Sequence, residues 1–265
     1  MKRSVLFALA GALVLIAGML LLAPHGAGAF FSFPGLLVVL GGTLAATLLS
    51  RPLSEVRKLL DNLPQLFRAD DSQVERDIVE ILQFAQKHRH AGPRAAEQAL
   101  GAISNPFVAA GLRQVVEGCS FEDLSRSLQW RIAGLRTEEG GQTQILYSMA
   151  AFAPAFGMLG TLFGLVHMLA GIGDAGLGQI GGSMAFAMVT TVYGIIASNL
   201  VFKPLAIKME RRTGQRLMQM SSLMEGILQV QQKRHPMLIR EALENCLAQC
   251  RPGAASQPPL TLVKA

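Results

Sequence analysis

Charged side chains are missing from three long stretches of the chain: between Arg3 and Arg51, between Glu139 and Asp174, and between Asp174 and Lys203. A helix crossing the ~30 Å hydrocarbon layer of a bilayer needs about 20 mostly apolar residues. The first stretch holds two such helices, expected at about 4–23 and 33–50 and split by the turn-forming run PHGAGAFFSFPG. The other two stretches hold one each, at about 144–172 and 180–202. The third helix is longer than a bilayer requires, so its first turns stand in water or at the interface. The pattern therefore predicts an all-α integral membrane protein with four transmembrane helices and a helical cytoplasmic domain inserted between helices 2 and 3.

Between the apolar blocks the periodicity changes to that of amphipathic helices. Leu53, Val56, Leu59, Leu60 and Leu63 recur at helical spacing with Glu55, Arg57, Lys58 and Asp61 between them, and Pro64 ends or kinks that helix. Helices are expected at 72–89, where Val74, Ile78, Leu82 and Ala85 form a stripe, at 94–103 and at 107–117. Another starts near Phe121 and runs through Leu124, Leu128, Ile132 and Leu135 toward the third span. Beyond the fourth span the helix continues to about 232, a short helix follows Pro236, and the Pro-rich tail 251–265 is expected to be disordered. The resulting division is a hairpin at 1–50, a cytoplasmic helical domain at 51–143, spans three and four at 144–202, cytoplasmic C-terminal helices at 203–250 and the tail.

Composition agrees: 51% of the residues are hydrophobic and 16% charged, against roughly a quarter charged in soluble domains. The cations orient the chain, because short loops rich in Lys and Arg stay cytoplasmic. Lys2 and Arg3 precede span one, Arg51, Arg57 and Lys58 follow span two, Arg131 and Arg136 precede span three, and Lys203, Lys208, Arg211 and Arg212 follow span four. Both termini and the middle region are expected in the cytoplasm, with the chain multi-pass in the membrane and only two short loops outside. The first apolar run also imitates a cleavable signal peptide, but a second span follows at once and the uncleaved hairpin is preferred. A net charge of +6 is explained by these cations beside anionic lipid, and nucleic acid is not required. Cys119, Cys246 and Cys250 lie on the reducing side without the further ligands of a zinc site, and read as ordinary thiols.

No P-loop, nucleophile elbow, zinc-protease motif or dinucleotide fingerprint is present, so no enzyme and no cofactor is expected. The informative residues are polar ones at membrane depth, which are costly there and face a bundle interior or a water path. In span three, Pro154, Met158, Thr161, Leu165 and Met168 share a face; in span four, Ser183, Ala187, Thr190, Gly194 and Ser198 form a small, weakly polar stripe beside Thr191. Two readings stay open: an ion path, or close packing of small residues around Gly160 and Gly164. His167 reads as structural. None of the spans contains a carboxylate, so an ion-driven machine built on this chain needs a partner's acid.

The run PAFGMLGTLFGL from Pro154 to Leu165, then Thr190-Thr191-Val192-Tyr193-Gly194, then Ser198-Asn199-Leu200-Val201-Phe202-Lys203-Pro204, resembles the flagellar stator A subunit family, MotA and its sodium-type relative PomA, within the broader MotA/TolQ/ExbB proton-channel superfamily. The resemblance extends to Gly41-Gly42-Thr43 and Glu225-Gly226-Ile227-Leu228. It implies a ring of five subunits around two copies of a MotB/PomB-type partner carrying a membrane aspartate, with torque delivered to the rotor protein FliG. It assigns the rotor contact to Arg89 and Glu97, conformational roles to Pro154 and Pro204, and the ion pathway to Thr161, Thr190 and Thr191 beside Pro154. Hydroxyls are hard oxygen ligands and lean the choice of ion toward Na⁺ over H⁺. The segment Lys233-Arg234-His235-Pro236 departs from the family's Gly-x-Asn-Pro. An ExbB/TolQ-like energiser of envelope transport and a non-conducting membrane scaffold are the competing readings.

Overall fold

A computed structural model describes residues 31–67, 72–171 and 176–250. The span expected at 4–23, the loop carrying Asp174 and the tail 251–265 lie outside the described residues. Among those residues all regular structure is helical. Three helices are long and apolar enough to cross a membrane: Phe33–Ser50, Phe121–Ala170 and Gly178–Gln231. We number the elements α1 (Phe33–Ser50), α2 (Leu53–Asn62), α3 (Ser72–Leu100), α4 (Pro106–Val116), α5 (Phe121–Ala170), α6 (Leu177–Ile196), α7 (Lys203–Gln231) and α8 (Pro236–Cys250). A π-helical turn, Ala197–Phe202, joins α6 to α7. The chain divides into two compact units, one of residues 1–63 and 141–209, the other of residues 64–140 and 210–265.

In the first unit the start of α1 is set by Ser32, whose side chain accepts a hydrogen bond from the Gly35 amide, and by Pro34 in the first turn, where a missing amide costs nothing. The helix then widens into a π turn over Leu37–Gly41. Thr43 and Thr47, both wholly buried, donate to the Val39 and Thr43 carbonyls at 2.6 and 2.7 Å. Polar side chains at this depth thus satisfy themselves on their own helix. The amphipathic segment forms α2 with Val56 and Leu59 buried, and the chain passes into a 3₁₀ turn over Leu63–Phe67 at Pro64. Asn62 donates to buried Gln142 at 3.0 Å.

The second unit is organised by large aliphatic side chains. Ile81, Phe84, Leu112, Leu124, Leu128, Ile227, Ile239 and Leu243 are almost fully buried and drawn from α3, α4, the first turns of α5, the end of α7, and α8. The pair of helices expected at 72–89 and 94–103 is in fact one, α3 running unbroken past Pro93. A proline interior to a helix deletes one ladder bond and crowds the preceding turn, at about 3 kcal/mol. Here the helix is held on both sides of it, by Ile81 and Phe84 before and by Ala99 and Leu100 after, all packed on the same core. The helix expected to start near Phe121 and run toward the third span does so without interruption, α5 being a single helix of 50 residues.

At the end of α7, Lys233 adopts φ +55°. Its amide bonds the Val230 carbonyl at 3.0 Å and that of Arg234 bonds Gln229 at 3.2 Å. This is the pattern of a Schellman cap, whose left-handed position is ordinarily glycine.

Candidate functional site

The crossing of α5 and α6 is built on glycine. A methyl group placed on Gly157 would lie 3.1 Å from the Thr190 carbonyl oxygen, on Gly160 2.6 Å from the Thr190 Cβ, on Gly164 2.7 Å from the Ala187 Cβ, and on Gly194 2.7 Å from the Ala153 carbonyl oxygen. Backbone therefore meets backbone, as small residues permit when helices pack in lipid. Gly35 of α1 closes the third side, its missing methyl 3.0 Å from the Thr190 Cγ2. Tyr193 ties the same elements together: its hydroxyl accepts from the Ser32 amide at 2.9 Å.

The residues singled out by sequence are distributed unequally over this crossing. Thr190 is wholly buried, and its hydroxyl donates to the Ala187 carbonyl at 2.8 Å. Ser183, Ala187 and Ser198 are buried with it, so the span-four stripe is occupied by packing within the chain. The span-three face is open: Met158 and Leu165 are exposed, and Pro154 and Thr161 half-buried between them. The Thr161 hydroxyl donates to the Met158 carbonyl, which directs its lone pairs away from the helix and leaves them free to accept. Thr191, by contrast, has a buried hydroxyl oxygen with no hydrogen-bond partner among the described residues. His167 is exposed beside an apolar cleft of about 730 Å³ lined with Phe163, Gln179, Ser183 and Phe186. Pro204 is exposed in the first turn of α7, directly after the π turn.

Two features of this crossing carry little sequence signal. Ser198 donates across to the Ala150 carbonyl at 2.6 Å, and Ala150 stands four residues before Pro154, the position whose partner amide that proline lacks. The π turn containing Ser198 is the second feature; Asn199 within it donates to the Ile195 carbonyl at 3.2 Å. Only the proline at 204 hinted at irregular backbone there.

In the second unit Arg89 and Glu97 are both exposed on α3. Eight positions along one helix set them about 12 Å apart along the axis and about 80° around it, so they face broadly the same side. Arg89 borders a cleft of about 560 Å³ with Gln86, His235, Met237 and Arg240. Adjacent His88 stacks on Phe84 with ring centroids 5.9 Å apart. Burial, and then the charge of Lys233, push the pKa of His88 down.

Apolar helices crossing on glycine, with hydroxyls turned onto backbone carbonyls, define a multi-pass helical membrane protein. The profile of the MotA/TolQ/ExbB proton channel family matches residues 99–222. Motility protein A of Treponema pallidum (strain Nichols) is 32% identical over 214 residues, spanning 80% of this chain and 82% of that one. Chemotaxis protein PomA of Vibrio alginolyticus is 31% identical over 220 residues, 83% of this chain and 85% of that protein. A chain of the C. jejuni MotAB structure shares the fold, with a TM-score of 0.82 at 21% identity over 95% of this chain and 98% of that one. The chain belongs to the MotA/TolQ/ExbB proton channel family, a family of channel proteins and not of enzymes.

Proposed function

We propose that this chain is the A-type subunit of a bacterial flagellar stator. With a MotB/PomB-type single-span partner it forms an inner-membrane cation channel that converts ion flow into torque on the rotor protein FliG. The observation that carries this reading is the similarity to proteins named Motility protein A and PomA across four-fifths of the chain. The lack of any carboxylate in the apolar stretches supports the division of labour: the partner brings the acid that binds and releases the ion, and this chain supplies the wall. Five copies surround two partner chains, with both termini in the cytoplasm.

The ion path runs along Pro154, Thr161, Thr190 and Thr191, and Na⁺ is favoured over H⁺. Thr161, with its proton directed to the Met158 carbonyl, presents lone pairs to a cation, and Thr191 has a hydroxyl with no partner among the described residues. Proton transfer needs neither. Arg89 and Glu97 contact the rotor, and Pro154 and Pro204 carry the conformational change.

Swimming of a strain lacking its chromosomal copy, complemented with this chain and its partner, tests the reading. Wild type is expected to restore motility with a speed that rises with external Na⁺, and Thr191→Ala to shift or abolish that dependence. Identical ion dependence in Thr161→Ala, Thr190→Ala and Thr191→Ala removes sodium from the proposal, and failure of the wild-type pair to restore swimming removes the stator. A paired reversal, Arg89→Glu with Glu97→Arg, is expected to abolish torque at normal protein levels; full speed in that variant excludes the rotor contact.

A further inference from the structure

We propose that Ser198 is a positioning residue that stands in for the amide missing at Pro154, fixing the course of α5 past that proline and thereby the direction in which the Pro154–Thr161 face points. Four observations converge on it. Pro154 has no N–H, so the Ala150 carbonyl loses its helical partner. The Ser198 hydroxyl lies 2.6 Å from that carbonyl oxygen. Ser198 is 6% exposed, so water does not compete for the bond. Gly194, one turn earlier on α6, allows the close approach that brings the hydroxyl within reach, since any side chain there would meet the Ala153 carbonyl and the Pro154 backbone.

The choice of partner is unusual for this chain. Thr43, Thr47, Ser183 and Thr190 all donate to carbonyls of their own helix, whereas Ser198 reaches across to a residue 48 positions away. It does so from inside the π turn Ala197–Phe202, a local departure from α geometry that recurs at functional sites. The bond therefore couples two irregular segments, the proline-broken ladder of α5 and the widened turn that leads into Pro204. A carbonyl in a part-buried site is costly to leave unpaired, so any change at Pro154 or in the π turn that separates Ser198 from Ala150 must break this bond or replace it. Ser198 is in this sense a latch between the two prolines. Its consequence for torque rests on the stator reading above; the bond itself does not.

The test is a double-mutant cycle on the purified complex. Ser198→Ala is expected to lower the unfolding midpoint by about 3–8 °C, the effect of one orphaned, part-buried carbonyl in a chain of this size. In a Pro154→Ala background the returning amide re-pairs the Ala150 carbonyl, and the same substitution is expected to shift the midpoint by under about 1 °C. Equal shifts in both backgrounds overturn the proposal. In cells, Ser198→Ala is expected to slow swimming at unchanged membrane levels and Ser198→Thr, which keeps the donor, to restore it; normal speed with Ser198→Ala overturns the positioning role. If the wild-type chain restores no swimming, the stator reading falls alone, and the midpoint cycle still decides the latch.

Discussion

Where α5 crosses α6, contact is made by Gly157, Gly160, Gly164, Ala187, Thr190 and Gly194, and what they meet is largely backbone. In the second unit contact is made by Ile81, Phe84, Leu112, Leu128 and Ile227, and the two glycines packed against that core meet side chains: a methyl on Gly111 would lie 2.9 Å from Ile227 Cδ1, and on Gly226 2.9 Å from Leu243 Cδ2. The difference follows from the solvent each region is built for. In water, large aliphatics are driven together by the area they remove from it. Lipid tails are as apolar as leucine, so helices associate there through close van der Waals contact and hydrogen bonds. Leucine and phenylalanine accordingly change sides: Leu162 and Phe163 are 59% and 58% exposed in the first unit, while Leu112 and Phe84 are enclosed in the second.

Leucine truncation breaks this comparison most forcefully. Leu112→Ala is expected to destabilise the protein by about 2–5 kcal/mol through lost transfer energy and a residual cavity. Leu162→Ala, which removes an outward-facing side chain, is expected to leave the unfolding midpoint of the detergent-solubilised protein nearly unchanged. Comparable losses at both sites would mean that the first unit also depends on aliphatic burial within the chain.

Glycine substitution gives the reverse order and a smaller effect. Gly194→Ala drives a methyl against the Ala153 carbonyl and the Pro154 backbone, and forcing the helices apart is expected to cost about 1–3 kcal/mol. Gly226→Ala meets the Leu243 side chain and no backbone, so a smaller shift relieves the crowding, and the gain of about 1 kcal/mol in helix propensity is common to both positions. Midpoints of the two variants, measured side by side, should differ in that direction; a Gly194→Ala protein as stable as wild type would remove the backbone-contact account.

Much of this organisation is legible before any coordinates. Charge-free runs mark α1, the second half of α5, and α6, because a bilayer leaves so little freedom in composition. The glycines of α5 and the small stripe of α6 announce themselves by spacing alone. What spacing does not reveal is which partner each polar atom takes. Thr190 and Ser198 sit on one stripe, yet one hydroxyl turns onto its own helix and the other reaches Ala150. Local chemistry also misleads at Pro93, where the helix continues because core residues on both sides hold it. At Lys233 the departure from glycine is visible in the sequence, but that the position demands a left-handed backbone emerges only from its φ of +55°.

The smallest effect concerns a carboxylate that the second unit has enclosed. Asp77 is 3% exposed; one oxygen accepts from the Asn105 amide at 2.6 Å and the other has no partner. Beside it Glu80 holds the Ser104 amide and hydroxyl at 3.0 and 2.9 Å. Burial raises the pKa of Asp77 above its ordinary 3.8; the Asn105 bond opposes that rise, the Glu80 charge adds to it and Arg76 opposes it. A carboxyl whose folded pKa exceeds its unfolded one binds its proton more tightly when folded. Stability is therefore greatest below the unfolded value and declines as pH climbs through the folded one, where the buried carboxyl must take its charge. Asp77→Asn keeps an acceptor for Asn105 and exchanges that charge for a neutral amide, which is less costly to bury. The variant is expected to match wild type near pH 4 and to exceed it in unfolding midpoint at pH 7.5, by less than either glycine or leucine substitution shifts it. A gap between variant and wild type that narrows as pH rises would show that the Asp77 carboxylate is better accommodated than its free oxygen implies.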